Sequence, residues 1–285
     1  MAYLDLTPAL HDQLRTWLAE DLGRGDLTAP ALQGLSGRGH WLAKQDGVFC
    51  GGVLVEPLFR MLDPDLRVDL LVTDGAPVRS GQRLLELEGS AAALVAGERT
   101  ALNLAMRLSG IATATAALVA QLAGTGVALA DTRKTTPGLR VLEKYAVRCG
   151  GGINHRLGLD DAAMLKENHL AWAGGVAPAI AAIRAASPWP ARVIVEAETA
   201  PEALAAVAAG ADGVLLDEFS PEALLQLVPQ LRQEAARLAR SLVLEASGVQ
   251  PEQLAAYAAT GIDLISTSAP ITRSAWLDLS MRFDA

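Results

Sequence analysis

The sequence predicts an α/β protein in which an antiparallel α+β unit is followed by a (β/α) barrel. Two observations predict this class. Short β-like segments surround a helix between residues 37 and 88. From about residue 127 onward, short apolar runs alternate with helical segments, and each run ends in a polar or charged residue. Polar residues at the carboxyl ends of parallel strands are typical of the catalytic face of such a barrel.

The first part of the chain combines helices with short strands. Residues 8–21 have leucines at helical spacing and predict a helix. A second helix is predicted near residues 57–61, and a long third one over residues 91–123 with Gly110 as its interior interruption. The alternating segments between them predict antiparallel strands at residues 41–44, 48–50, 67–72 and 83–88.

In the second part of the chain, short apolar runs alternate with helical segments, which is the pattern of parallel strands joined by helices. The number of apolar runs indicates six or seven strands, so closure of the barrel is expected to be imperfect. A doubly wound open sheet is the main rival, but it would concentrate ligand groups at one switch point, whereas polar ends follow at least five successive runs here. The predicted strands are residues 127–131, 163–166, 193–198, 213–217, 242–245 and 264–266.

The amino-acid composition limits the binding partners and the cellular compartment that we expect for the chain. The chain has 285 residues, 51% of them hydrophobic, with a formal net charge of −8, so a basic face for nucleic acid or an anionic membrane is not expected. The two cysteines, Cys50 and Cys149, lack Cys-x-x-Cys spacing and fit a reduced compartment. Acidic residues near the N-terminus interrupt any signal-peptide core there, so the expected location is the cytoplasm.

Positive charge is concentrated between Arg133 and Arg156. This segment holds six Lys or Arg and one acid, Glu143, in a chain that is otherwise acidic. It also contains a Thr-Thr-Pro-Gly turn and three consecutive glycines, residues 150–152. Glycine lets the backbone approach a ligand, and arginine grips carboxylate or phosphate bidentately. The segment therefore predicts a pocket for a small, highly charged anion.

Ordered motifs along nearly the whole chain resemble one enzyme family, nicotinate-nucleotide pyrophosphorylase (carboxylating), also called quinolinate phosphoribosyltransferase. They begin at residues 21–28 and end at residues 277–280. Between these lie GERTALN (97–103), LSGIAT (108–113), DTRKTTPGL (131–139), GGGINHRLGL (150–159), KENH (166–169), EAE (196–198), LLD (215–217) and EASG (245–248).

The resemblance implies that quinolinate attacks C1′ of phosphoribosyl pyrophosphate with Mg²⁺, which gives nicotinate mononucleotide, pyrophosphate and CO₂ for NAD synthesis. It implies an N-terminal α/β sandwich over residues 1–108, joined by the C-terminal segment 270–285, and an incomplete α/β barrel over residues 109–269. It also implies a homodimer, or an assembly of dimers, whose sites lie between the barrel of one subunit and the N-terminal domain of another.

The resemblance further assigns roles to individual residues. Quinolinate would be held by the cations Arg133, His155, Arg156 and Lys166, with Arg99 donated by the neighbouring subunit. Lys134, after Thr132, would take the phosphoribosyl substrate, and Glu196 and Asp217 would contact its ribose hydroxyls and the Mg²⁺. The catalytic set is then Lys134, Lys166, Glu196 and Asp217, while Glu198, Asn168 and His169 are lower-ranked candidates.

Two late loops match the family's 5′-phosphate site, where backbone N–H groups bind the anion. Here the chain departs from the family pattern, because Val249 and Ser268 stand where relatives commonly have glycine, and Thr272 where many have histidine. Close approach of the backbone to a phosphate is therefore in question at two positions. The loop residues are Ser247, Gly248, Val249, Thr267, Ser268 and Ala269.

Two other functions stay open at the sequence level. One is a paralogous relative of the same fold associated with molybdenum transport, which would be expected to lose one of the carboxylate-binding cations. The other is a non-catalytic sensor that binds phosphoribosyl pyrophosphate and reports it to a partner. Retention of both acids, Glu196 and Asp217, and of all the cations favours the enzyme.

Overall fold

A computed structural model describes residues 2–284, and its chain divides into two units. The first unit comprises Met1–Ala116, Val141–Gly151 and Arg273–Ala285, and the second comprises Ala117–Arg140 and Gly152–Thr272. The boundary predicted after residue 108 falls within a helix that runs from Ala91 to Gln121. The predicted domain limits remain a prediction.

The first unit is built on an antiparallel sheet of four strands in the order β12-β1-β5-β3. The last strand of the chain pairs with β1, with Ala43 opposite Leu279, so the first and last strands in the chain share one sheet. A separate pair, β2 and β4, is also antiparallel. The strands are β1 (Ser36–Ala43), β2 (Gly47–Val48), β3 (Arg67–Leu70), β4 (Pro77–Val78), β5 (Arg83–Ser90) and β12 (Leu279–Asp284).

Helices cover this sheet and provide much of its core. Helix α1 (Pro8–Leu22) begins at Thr7, whose side-chain oxygen accepts a hydrogen bond from the N–H of Leu10, and buries one leucine stripe. Helix α2 (Val55–Arg60) contributes Phe59, which is fully buried. Helix α3 (Ala91–Gln121) buries a row of leucines at helical spacing, Leu94, Leu102 and Leu108.

Helix α3 is also, among the described residues, a segment long and apolar enough to cross a membrane, with a mean hydropathy of 1.3. The core helix of a soluble protein passes the same test of length and composition. Its Ser109 hydroxyl accepts a hydrogen bond from the N–H of Cys50 and donates one to the carbonyl oxygen of Cys50. These contacts tie the helix to the protein interior.

The second unit contains six parallel strands, in the order β6-β11-β10-β9-β8-β7. From β7 to β11 each strand lies beside its neighbour in sequence, and β6 lies beside β11, which is the order of a barrel opened between β6 and β7. A doubly wound sheet would reverse direction at a switch point. The strands are β6 (Ala128–Ala130), β7 (Ala163–Leu165), β8 (Val193–Ala197), β9 (Gly213–Leu216), β10 (Val243–Ala246) and β11 (Leu264–Ser266).

The predicted α/β class is therefore confirmed, with an incomplete barrel. Ile153 forms an isolated parallel bridge with Ala130 at the open edge. The connecting helices pack on the outside of the strands, where the apolar cluster of this unit lies. They are α5 (Glu167–Ala173), α6 (Val176–Ala186), α7 (Ala200–Ala208), α8 (Pro221–Arg237), α9 (Leu254–Ala258) and α10 (Ala269–Thr272). Helix α4 (Arg140–Cys149) belongs, from Val141 onward, to the first unit.

Side-chain direction alternates along each barrel strand and separates the core from the lumen. In β8, Val193, Val195 and Ala197 are buried against the helices, whereas Ile194 and Glu196 point the other way. Several predicted strands are too long by one residue, because β6, β7, β8 and β9 end just before the polar residue that was predicted to close each of them. Those polar residues begin the loops at the carboxyl edge.

Partly exposed charged side chains connect the amino ends of neighbouring strands. Asp263 precedes β11, and its Oδ2 accepts a hydrogen bond of 2.7 Å from the N–H of Leu244 on the neighbouring strand. Arg232 of α8 donates to the other oxygen of Asp263, also at 2.7 Å. Asp212 plays the same part between β9 and β8, where it accepts from the N–H of Val193 at 2.8 Å. Each of these two aspartates thereby fixes the register between its own strand and the adjacent one.

We expect Gly110→Ala to destabilise the protein, although alanine is the better helix former by about 1 kcal/mol. A Cβ at residue 110 would lie 2.1 Å from the carbonyl oxygen of Ala275, a contact with backbone that a side-chain rotation cannot relieve. The expected net loss in free energy of unfolding is about 2 kcal/mol, measured by urea denaturation.

Ala117→Gly, at an exposed position of the same helix, is the matched control. It should cost about 1 kcal/mol through helix propensity alone. An unchanged or higher stability of Gly110→Ala would contradict the close approach of residue 275.

Candidate active site

Polar side chains from successive strands meet at the carboxyl edge of the barrel. Because the strands are parallel, their carboxyl ends lie on one side of the sheet. Residues that follow the strands therefore approach one another although they are far apart in the chain. They are Lys166 after β7, Glu196 near the end of β8, Asp217 after β9, Ser247 after β10 and Thr267 after β11.

Lys166 forms an ion pair with Glu196 across the β7–β8 pair. Its Nζ contacts Oε2 of Glu196, and the side chains are 46% and 14% exposed, so the acid is the more enclosed partner. Lys166 also precedes α5, and its backbone N–H donates to Nδ1 of His169 at 3.2 Å. Asn168 Oδ1 accepts from the N–H of His169 at 2.8 Å. The side chains of Asn168 and His169 therefore accept hydrogen bonds from backbone N–H groups at the start of α5.

Three carboxylates form an acidic group beside this ion pair. Glu196, Glu198 and Asp217 each offer an oxygen, and the three oxygens lie within 4.8 Å of one another. Desolvation, followed by the negative charges of neighbours that include Asp217, raises the pKa of Glu198. The hydroxyl of Ser247 donates to Oδ1 of Asp217. Closely spaced carboxylates of this kind repel one another and suit a hard divalent cation.

Arg133 and Lys134 lie in the loop after β6 and are both exposed. Strand β6 ends at Ala130, so the two residues lie beyond the strand and strand alternation does not set their directions. A local turn positions them instead, in which the N–H of Thr135 donates to the carbonyl oxygen of Arg133 at 3.0 Å. Thr132 accepts at Oγ1 from the N–H of Lys134, also at 3.0 Å.

Arg156 provides a second guanidinium close to Arg133. Burial, with an added contribution from the Arg133 charge, lowers the pKa of Arg156. Its Nη1 donates to the carbonyl oxygen of Ala162 at 3.0 Å. Within residues 2–284, neither Arg133 nor Lys134 forms an ion pair with an acid, so their charge is available to a bound anion.

Asp131 holds the segment that carries His155 and Arg156. It is 2% exposed, and its two oxygens accept from Asn154 Nδ2 at 2.7 Å and from the backbone N–H of His155 at 2.8 Å. Arg156 in turn donates its backbone N–H to Nδ1 of His155 at 2.7 Å. The glycine run thus leads into a short segment whose conformation is fixed by buried polar contacts.

A cavity of about 330 Å³ lies in the barrel, toward the amino ends of the strands. Ile194, Val243 and Leu264 form apolar walls, and His155 and Glu245 border it. The sequence motifs contained Asp131 and Glu245, but no role was predicted for either. The signal that marks them is the position of each acid at or next to the end of an otherwise apolar run.

The two loops predicted to bind a 5′-phosphate follow β10 and β11, which are adjacent parallel strands. Gly248 has φ +74°, a left-handed conformation that favours glycine. Val249 is 3% exposed and belongs to the apolar cluster, so its side chain points away from the loop surface. Ser268 and Thr267 lie at the start of α10, and the N–H of Ala269 donates to Thr267 Oγ1 at 3.2 Å.

Arg99 lies in the first unit, exposed on α3, and within residues 2–284 it forms no salt bridge. The remaining predicted site residues all belong to the second unit. Donation of Arg99 to a neighbouring subunit stays a prediction, as do the individual roles assigned from the sequence.

The fold and this edge of the barrel define an enzyme of the (β/α) barrel class, with cations for an anionic substrate beside acids for a cation. Two family models match the chain: Quinolinate phosphoribosyl transferase, N-terminal domain, over residues 26–109, and Quinolinate phosphoribosyl transferase, C-terminal domain, over residues 111–282.

Individual proteins with similar sequences carry names that correspond to the same family. The chain is 46% identical over 272 residues to a probable nicotinate-nucleotide pyrophosphorylase [carboxylating] of Synechocystis sp., with 94% of this chain and 90% of the relative covered. It is 37% identical over 274 residues to the nicotinate-nucleotide pyrophosphorylase [carboxylating] of Homo sapiens, with 95% and 90% covered.

Solved structures agree as well. The structure of the nicotinate-nucleotide pyrophosphorylase from Francisella tularensis superposes with a TM-score of 0.90 at 34% identity, covering 99% of this chain and 98% of that one. The chain belongs to the quinolinate phosphoribosyl transferase family.

We expect Asp131→Asn to destabilise the protein by about 2 kcal/mol. Both oxygens of Asp131 accept hydrogen bonds, and an asparagine amide would turn a donor toward one of those two donors. Urea denaturation of the variant measures the loss. Asp160→Asn, an exposed acid in the same unit, should change stability by less than about 0.5 kcal/mol. Equal stabilities of the two variants would contradict the role given to Asp131.

Proposed function

We propose that this chain is a quinolinate phosphoribosyltransferase, a pentosyltransferase that converts quinolinate and phosphoribosyl pyrophosphate to nicotinate mononucleotide, pyrophosphate and CO₂ in NAD biosynthesis. The observation that carries the proposal is that the charge of Arg133 acts on Arg156, with no acid paired to Arg133 among the described residues, in the unit that also holds the Lys166–Glu196 pair. Family membership supplies the substrate class, and this local charge distribution suits it.

Quinolinate carries two carboxylates on adjacent ring carbons, so it needs several fixed donors. Arg133 and Arg156 are proposed to bind these carboxylates, because two neighbouring guanidinium groups are stabilised by an anion placed between them. Lys166 is proposed to join them, and its ion pair with Glu196 prevents its charge from being left unbalanced before substrate binds. His155 is proposed to orient the substrate rather than transfer a proton.

The ring nitrogen of quinolinate is proposed to attack C1′ as the bond to pyrophosphate breaks. Positive charge that develops at C1′ is stabilised by Glu196 and Asp217, which lie on the same side of the barrel lumen. Lys134 is proposed to bind the phosphoribosyl pyrophosphate. The nitrogen becomes cationic in this step and stabilises the electron pair that stays on C2 when the neighbouring carboxylate leaves as CO₂. C2 then takes up a proton from solvent, which gives nicotinate mononucleotide.

Mg²⁺ is part of the proposal, and the residues present fit it. Glu196 and Asp217 would hold the ion, and the nearby oxygen of Glu198 completes a hard, anionic ligand set. Bound there, Mg²⁺ neutralises charge on the pyrophosphate. The loops with Ser247–Val249 and Thr267–Ala269 are proposed to bind the 5′-phosphate, since the buried side chain of Val249 leaves its backbone accessible from the loop side.

The two alternatives predict different reactions. A molybdenum-transport-associated relative with another ligand has no need for all the carboxylate-binding cations, and a sensor of phosphoribosyl pyrophosphate has no need for quinolinate. Incubation of the protein with quinolinate, phosphoribosyl pyrophosphate and Mg²⁺ distinguishes them. We expect CO₂ and nicotinate mononucleotide to appear together in equal amounts, and the absence of either product would reject the proposed activity.

Arg133→Ala should lower kcat/KM for quinolinate by a factor that corresponds to about 2 kcal/mol or more, because a charge-assisted hydrogen bond to a carboxylate is lost. Steady-state kinetics with varied quinolinate measure it. Arg237→Ala removes an exposed arginine paired with Glu234 on α8 and is the control, with no expected change. Turnover of quinolinate unaffected by Arg133→Ala would exclude its assigned role.

The proposal includes a cytoplasmic homodimer, or an assembly of dimers, with sites shared between subunits. Arg99→Ala and Lys166→Ala proteins should each be inactive, whereas a mixture refolded together should recover up to about one quarter of the activity, since one site of a mixed dimer keeps both residues. Mass spectrometry of the mixture verifies that subunits exchanged. Exchange without recovery would contradict sharing of Arg99.

A further inference from the structure

Glu245 is a buried carboxylate that the proposed reaction does not yet use. It lies in β10, 3% exposed, between the outward-facing residues Leu244 and Ala246, so its side chain faces the barrel lumen. Its Oε2 lies 3.2 Å from Nε2 of His155. Its Oε1 has no hydrogen-bond partner among residues 2–284. Burial of a carboxylate with so few polar contacts destabilises the folded protein, so we expect Glu245 to have a functional role.

The imidazole of His155 is oriented by contacts at both nitrogens. Nδ1 accepts the backbone N–H of Arg156 at 2.7 Å, so in the neutral ring the proton is on Nε2. Nε2 lies 3.2 Å from Oε2 of Glu245, which is ion-pair distance without the geometry of a hydrogen bond, so the carboxylate acts on Nε2 through its charge. A carboxylate at this position stabilises the Nε2–H tautomer and disfavours the other, which would place a lone pair against a negative charge.

Packing alone does not hold the ring, because His155 borders the cavity of about 330 Å³ on the side of the barrel's amino end. Asp131 fixes the backbone N–H of His155 but does not determine the rotation of the ring. Glu245 adds a restraint at Nε2, the second nitrogen of the ring. Since Nδ1 of the same ring accepts from Arg156, the restraint extends to the backbone of the residue whose guanidinium lies near Arg133.

We propose that Glu245 is a positioning residue that fixes the tautomer and orientation of His155 and, through it, of Arg156, and so determines affinity for quinolinate. This inference rests on the proposed function of the same site. Glu245 does not touch the substrate. Its effect is therefore expected on binding of quinolinate and not on binding of phosphoribosyl pyrophosphate.

The test compares Glu245→Gln with Glu245→Met, two side chains of similar length. Glutamine keeps an oxygen that accepts from Nε2, whereas methionine removes the acceptor and retains most of the volume. With ¹⁵N-labelled histidine, NMR reports the tautomer of His155 directly, and the chain has only four histidines, so a His155→Asn spectrum identifies its signals. The Gln variant should keep the Nε2–H tautomer, and the Met variant should show a mixture.

Kinetics provide the second measurement. The Met variant should raise KM for quinolinate about 10-fold or more, the range found when a partner that orients a functional histidine is removed, and the Gln variant should raise it less than about 3-fold. In both, KM for phosphoribosyl pyrophosphate should stay within about 2-fold. Leu264→Met changes the volume of the same cavity wall without touching His155 and should alter neither the tautomer nor KM.

The inference is overturned if the Met variant folds and keeps the Nε2–H tautomer, or if both KM values rise together. If the Met variant does not fold, Glu245→Asp withdraws the carboxylate by one methylene and should shift the tautomer in the same direction; an unchanged tautomer in that variant also overturns it. The NMR result needs no turnover. A failure of the proposed reaction is therefore distinguishable from a failure of this inference.

Discussion

The alternation of side chains along six short parallel strands is the constraint on which the rest of the structure depends. In β8 and β10 the outward-facing residues are apolar and buried by helices, so Glu196 and Glu245 must face the lumen. Asp212 and Asp263 fix the register between neighbouring strands. Because register and alternation are both fixed, acids from strands far apart in sequence approach one another at the same depth of the barrel.

The carboxylates and the arginines of the candidate site form two separate groups of like charge. Glu196, Glu198 and Asp217 are close enough to repel one another, and burial followed by repulsion from the Arg133 charge lowers the pKa of Arg156. A ligand of opposite charge would stabilise each group, a cation for the acids and an anion for the arginines. The dicarboxylate and the metal-bound pyrophosphate of the proposed reaction would satisfy both groups together.

Sequence patterns predicted most of the strands and helices, since each of the six barrel runs coincides with a strand to within two residues at either end. They failed where the chain leaves regular structure. Arg133 and Lys134 are arranged by a turn at Thr135, which strand alternation does not describe. The pairing of Glu245 with His155 joins residues separated by ninety positions, and no local pattern in either segment indicates it.

The sequence by itself determined the fold class, the family, and the set of cations and acids available for the reaction, because hydrophobic periodicity and ordered motifs are properties of the chain alone. The tertiary structure decided which of those charges are neighbours. It paired Lys166 with Glu196, turned Val249 into the apolar cluster, and gave Asp131 and Glu245 their contacts with the His155 segment. The reason is physical: electrostatic and hydrogen-bond energies depend on distances across strands and loops, which only the assembled barrel fixes.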